Sequence, residues 1–106
     1  MSAMIWAPFP DHEAARTAAG ILLDEKLVAC ANILGSVESI FDWGGERTNA
    51  AEIGVLFKTD ATILDQAVAR IEDLHPYKAP AILGWRADAP ARATRDWLGL
   101  LAGKIS

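Results

Sequence analysis

The clearest hydrophobic pattern in the chain lies between Leu27 and Thr59, which reads LVACANILGSVESIFDWGGERTNAAEIGVLFKT. Two β-rich runs, Leu27 to Trp43 and Glu52 to Lys58, flank a polar segment that opens with Gly44–Gly45 and holds Glu46, Arg47, Thr48 and Asn49. Both runs alternate with the period of two that gives a strand two distinct faces. Val37, Ser39, Phe41 and Trp43 fall on one face, with Ser36, Glu38, Ile40 and Asp42 on the other. In the second run Ile53, Val55 and Phe57 oppose Glu52, Leu56 and Lys58. The pattern predicts an antiparallel hairpin around a Gly-led turn. Its first strand, at roughly sixteen residues against a usual five or six, overreaches a compact sheet. Gly35 marks the place where it bends or bulges.

Shorter patterns complete the set. Ala3 to Ala7 is an apolar run stopped by Pro8 and Pro10. A helix follows, capped by Asp11, with Glu13 in its first turn and a stripe of Ala14, Ala15, Ala18, Ile21 and Leu22 at helical spacing. Thr59 or Asp60 caps a second helix, whose Leu64, Ala67, Val68, Ile71 and Leu74 hold the three-four spacing until Pro76 forbids continuation and leaves His75 at the helix end. Ala81 to Arg86 reads as a last short strand, and Asp88-Ala89-Pro90 as the opening of a final helix whose apolar contacts are Trp97, Leu98 and Leu101. The order β-α-β-β-α-β plus a terminal helix predicts an α+β, ferredoxin-like fold over residues 1–106 as one domain.

Composition sharpens this picture in three ways. The chain is 52% hydrophobic, rich for 106 residues, and that surplus favours an oligomer. Ten bases against fourteen acids leave a net charge of −4, so there is no basic field to hold a phosphate backbone, and nucleic acid is excluded as a partner. The single cysteine, Cys30, allows no intrachain disulfide and no CxxC motif, which points to a reducing, cytoplasmic setting. The opening MSAMIWAPFPDHE has neither the charge nor the apolar run of a signal peptide, and no stretch is long enough to span a membrane.

LVACANI (Leu27 to Ile33), Trp43, Gly45, Glu52, Lys58-Thr59, His75-Pro76-Tyr77 followed by Pro80, and Trp97-Leu98 together resemble one family over almost the whole chain, the CutA divalent-cation-tolerance proteins. The resemblance implies a tight homotrimer in which the long hairpin strands pair between subunits, an architecture shared with the PII signalling proteins. It also implies a role in tolerance to divalent cations, copper above all. The copper pattern of bacterial members asks for a Cys near the end of the first strand and a His-His pair before Pro-Tyr. Here those positions read Trp6-Ala7 and Leu74-His75, so His75 alone keeps a ligand.

Candidate chemistry follows from these residues. Cu2+ or another divalent cation of similar softness needs imidazole or thiolate donors converging on one centre. With two histidines and one cysteine the chain offers no complete site of its own, so His75 is the metal candidate, completed by carboxylates across a subunit boundary. A cleft lined by Trp43, Glu52, Lys58, His75 and Tyr77 is the candidate for a small metabolite. Glu52 and Lys58 share a strand face but stand about 20 Å apart, so each looks to another subunit for its counter-charge. Cys30 reads as a buried, protonated thiol, and His12 as a surface residue. No nucleophile elbow, phosphate loop or opposed carboxylate pair supports an enzyme. Two functional expectations stand: a metal-tolerance trimer, and a PII-like signalling or adaptor trimer acting through a protein partner.

Overall fold

The computed structural model describes residues 1–103. The elements are β1 (Ser2–Phe9), α1 (His12–Asp24), β2 (Cys30–Trp43), β3 (Glu46–Asp60), α2 (Leu64–Leu74), β4 (Leu83–Arg86) and α3 (Arg92–Gly99), with single 3-10 turns leading into α2 and closing α3. The four strands form one sheet in the order β2-β3-β1-β4, antiparallel throughout. This is the ferredoxin-like arrangement that the element order predicts.

The helix-side face of the sheet holds the core. Ile5, Ala7 and Phe9 of β1 and Ile53, Val55 and Phe57 of β3 are buried against Ala15, Ala18, Ala19 and Leu22 of α1 and Ala67 and Ile71 of α2. The alanines of α1 let its backbone lie close to the strands. Asp11 caps that helix, its carboxylate accepting the Ala14 N–H at 2.8 Å. Asp60 starts the next helical segment by accepting the Thr62 N–H at 3.0 Å. Leu27 and Val28 are buried where α1 returns to the sheet, and the Thr59 hydroxyl donates to the Leu27 carbonyl at 2.7 Å, fully enclosed. The LVACANI and Lys58-Thr59 segments therefore meet in space.

Several boundaries differ from those the sequence pattern predicts: β2 begins at Cys30 rather than Leu27, because Leu27 and Val28 are buried in the turn from α1 into the sheet. The hairpin turn is only Gly44–Gly45, and Glu46 to Ala51 continue β3 rather than forming a loop. Both glycines have positive φ, 61° and 82°, which the tight turn between Trp43 and Glu46 demands. β1 runs through Pro8 to Phe9, because β4 flanks only Ala3 to Trp6 and a proline is tolerated where the strand has a neighbour on one side. β4 begins at Leu83, not Ala81, and α3 begins at Arg92, behind Ala91, with no side-chain cap.

Gly35, at φ 96°, is the bulge, and Leu34 is the extra residue between the pairs Ile33–Val55 and Gly35–Gly54. The extra residue reverses the parity of the strand. Ala31 and Ile33 lie opposite Phe57 and Val55 on the helix side, whereas Val37 lies opposite Glu52 on the other face. Ser39, Phe41 and Trp43 follow Val37 onto that helix-free face.

The helix-free face is apolar as well. Cross-strand pairing places Met4 with Lys58 and Trp85, and Trp6 with Leu56 and Leu83. The hairpin carries this face far beyond the rest of the sheet, since β1 reaches only Ile53 while β2 and β3 pair onward to Trp43–Glu46. The subunit is 50 Å long against 26 and 22 Å in its other dimensions.

Candidate functional site

The candidate site lies where β1 ends and the hairpin continues alone. Pro76 cannot extend α2, so the chain turns at His75, whose N–H closes the helix on the Ile71 carbonyl at 2.9 Å. The His75 ring is buried and stacks on Phe9, with centroids 4.4 Å apart and planes at 21°. Both ring nitrogens are engaged. Nε2 lies 2.7 Å from the Pro8 carbonyl, and Nδ1 accepts the Tyr77 N–H at 3.2 Å. These partners fix the tautomer: a carbonyl only accepts and an amide N–H only donates, so the hydrogen sits on Nε2 and the lone pair on Nδ1.

Tyr77 passes around the end of β1 to the helix-free face. Its ring packs against His75 at 4.8 Å, and its hydroxyl donates to Glu52 Oε2 at 2.8 Å. Burial first, then the hydrogen bond and charge of Glu52, and lastly the charge of Asp11, push the Tyr77 hydroxyl up to about 12. Glu52 is 8% exposed and has no cationic partner within ion-pair distance among the described residues. It opens onto a groove of about 590 Å³ lined also by Pro8, Phe41, Trp43, Tyr77 and Ala79 and by the charged Asp42 and Lys78. Asp42 is occupied by Arg47, 2.8 Å away across the hairpin, and this pair holds the Asp42 carboxyl below its usual range.

Of the residues singled out from sequence, Trp43, Glu52 and Tyr77 meet in this groove, and His75 supports it from behind. Lys58 stands apart on the same face, paired in register with Cys30 and Met4. Cys30 departs from the expected buried thiol. It is half-buried on the helix-free face, with Sγ 3.5 Å from Asn32 Oδ1. Sequence reasoning missed Phe41 and Pro8 as walls of the groove. Phe41 is legible, because it shares parity with Trp43; Pro8 reads in the sequence as a strand stop. Among the described residues, no three His, Cys, Asp or Glu side chains cluster closely enough to hold a metal ion. One subunit alone therefore does not fit a copper centre.

The family model for the CutA1 divalent ion tolerance protein matches residues 3–100. This chain belongs to the CutA1 family. The divalent-cation tolerance protein CutA of Thermus thermophilus is 35% identical over 98 residues, covering 92% of this chain and 95% of the relative. That of Pyrococcus horikoshii is 34% identical, covering 90% and 92%. Among solved structures, the periplasmic divalent cation tolerance protein CutA of Archaeoglobus fulgidus superposes with a TM-score of 0.89 at 28% identity, over 95% of this chain and 98% of that one. CutA1 of Ehrlichia chaffeensis gives 0.87 at 29%, over 94% of each. The family is named for tolerance, not for a reaction. No helix among the described residues is long and apolar enough to cross a membrane.

Proposed function

We propose that this chain acts in divalent-cation tolerance as a homotrimer, holding Cu2+ or another divalent cation weakly at a site completed between subunits. The observation that carries the assembly is the helix-free face. Met4, Trp6, Leu56, Leu83 and Trp85 line it, and the hairpin extends it past the subunit with Phe41 and Trp43. A single-layer apolar face on a chain this size needs a second copy to cover it. His75 is the candidate ligand, because Nδ1 carries the ring's lone pair and only the Tyr77 N–H must yield to free it. Carboxylates of a neighbouring subunit supply the remaining donors, and a site of so few strong donors binds weakly. The single half-buried thiol with no disulfide partner favours a cytoplasmic setting.

The test is light scattering on a sizing column followed by calorimetric titration of chelator-treated protein with Cu(II), Zn(II) and Mg(II), beside His75→Gln. The expected result is a trimer that binds at most one ion per subunit, with binding lost in the variant. A monomer at micromolar concentration, or binding indifferent to the variant, overturns the reading.

A second reading is favoured by the groove itself: a PII-like trimer that takes a small metabolite at Trp43, Glu52 and Tyr77, with Lys58 supplied by a neighbouring copy, and signals to a protein partner. A concave apolar site with few convergent polar groups is the usual form of a small-molecule pocket.

A further inference from the structure

The tip of the hairpin and the opposite end of the subunit carry groups that complement one another. Gly44 and Gly45 put no side chains on the turn, so the tip is slim, and the first pair behind it is Trp43 with Glu46. Directly paired residues stand side by side on one face of a sheet. Trp43 is 67% exposed, the most open of the four tryptophans, and Glu46 has no cation within ion-pair distance among the described residues.

The opposite end lies about 45 Å away along β2, which starts at Cys30. There the preceding residues, Val28 and Ala29, help to line a cavity of about 540 Å³. Leu23, Trp97, Leu100 and Leu101 make the rest of that lining apolar, and Lys26 is its only charged residue among the described ones. Lys26 likewise has no carboxylate within ion-pair distance among the described residues. It sits at φ 59° just past α1, where helices commonly end on glycine. A lysine in that crowded conformation keeps a cation at the cavity where glycine would fit more easily.

We infer that the hairpin tip of one copy docks in this cavity of the next, with Trp43 entering the apolar lining and Glu46 meeting Lys26. The step rests on the homotrimer reading above and names what one copy supplies to another. The charges select the arrangement. Tip against tip would set Glu46 against Glu46, whereas tip into cavity gives each acid a base. Because tip and cavity are different surfaces, the contact runs head to tail, and such contacts form a ring when the rotation between copies closes. A closed ring of three leaves no tip and no cavity over. Tryptophan in an apolar socket is a common anchor of an interface, and the charge pair adds orientation more than strength.

The experiment uses the whole chain carrying Cys30→Ser, so that no native thiol reacts. Lys26→Cys and Glu46→Cys are introduced singly and together, treated with a short bis-maleimide, and read by denaturing electrophoresis beside light scattering. Expected are covalent trimers from the double variant, in which each copy joins two neighbours, and single chains from either variant alone. Trp43→Ala should raise the concentration of half-dissociation at least about tenfold, with the far-ultraviolet circular dichroism of the subunit unchanged. Glu46→Lys should weaken assembly, and adding Lys26→Glu should restore it. Covalent dimers from either single variant would mean that like ends meet, and overturn the inference. Covalent species longer than three chains overturn the ring. A trimer with no linkage in the double variant and no response to Trp43→Ala keeps the assembly, gives the cavity to another occupant and overturns the docking. A single-chain mass for the unsubstituted protein at micromolar concentration overturns the homotrimer reading and the docking with it.

Discussion

The two faces of the sheet are written with the same apolar alternation, yet only one is covered. On the helix side Ile5, Phe57 and Val55 are fully buried, whereas on the opposite side, on the same or adjacent strands, Trp85 is 44% and Leu83 68% exposed. An antiparallel sheet with helices on one face normally turns polar residues to the other. The difference teaches that hydrophobic alternation encodes where surface must be buried, without stating by what. One face is satisfied within the chain, and the other is left apolar, the surface that the proposed assembly would cover.

The largest effect that separates the faces is expected in the core. Phe57→Ala removes a ring enclosed between β3 and the helices and packed edge-on to Phe9, and should cost about 3–5 kcal/mol in denaturant unfolding. Leu83→Ala, at the matching depth of the other face, should cost less than about 0.5 kcal/mol in a dissociated subunit but lower the assembled fraction on a sizing column. Equal losses at both positions in separated subunits would erase the distinction.

Two smaller changes test how each face is closed. Thr59→Val keeps the shape but strips the Leu27 carbonyl of its enclosed donor, and should destabilise by about 1–3 kcal/mol. Gly54→Ala probes the other side. A Cβ there would run into the Trp6 ring and stand 3.2 Å from Val37. The ring must move off β3, and the expected cost is about 1–3 kcal/mol by chemical denaturation, together with weaker assembly. Unchanged stability in both variants would mean that neither contact closes its face.

Much of this was legible in the chain. Period-two alternation and helical spacing identified every element, and the caps at Asp11 and Asp60 follow from ordinary preferences at helix starts. Gly35 was readable as a bulge, although its effect on parity follows only once the register is known. The extent of β3 was hidden because Glu46, Arg47, Thr48 and Asn49 look like a loop; their pairing with Trp43, Asp42, Phe41 and Ile40 is imposed by the two-residue turn, not by propensity. The site was half legible for a similar reason. Trp43, Glu52 and Tyr77 could be named, but that His75 spends both ring nitrogens on Pro8 and Tyr77 depends on the end of β1 lying beneath it, a contact 67 residues apart in sequence.

The subtlest test concerns Tyr77, which links the two faces by leaning on His75 behind β1 and donating to Glu52 in front. It is the only tyrosine, so phenolate absorbance reports it alone. Ionisation should be centred at about 12 rather than the ordinary 10.0. Glu52→Gln should lower that midpoint only part of the way, because burial is the largest cause and the variant leaves it in place. The sign of the stability effect follows by linkage. A hydroxyl whose folded value lies above its unfolded one binds more protons in the native state across the interval, so its contribution is complete below about pH 10 and is lost as pH rises through about 12. Tyr77 is 38% exposed, so solvent screening keeps the loss small, and it should show as a shallow decline in the unfolding midpoint across that interval that is absent in Tyr77→Phe. An absorbance midpoint at the ordinary value in the native protein would mean that the hydroxyl is not held on Glu52, and would detach the groove from the helix-covered side of the sheet.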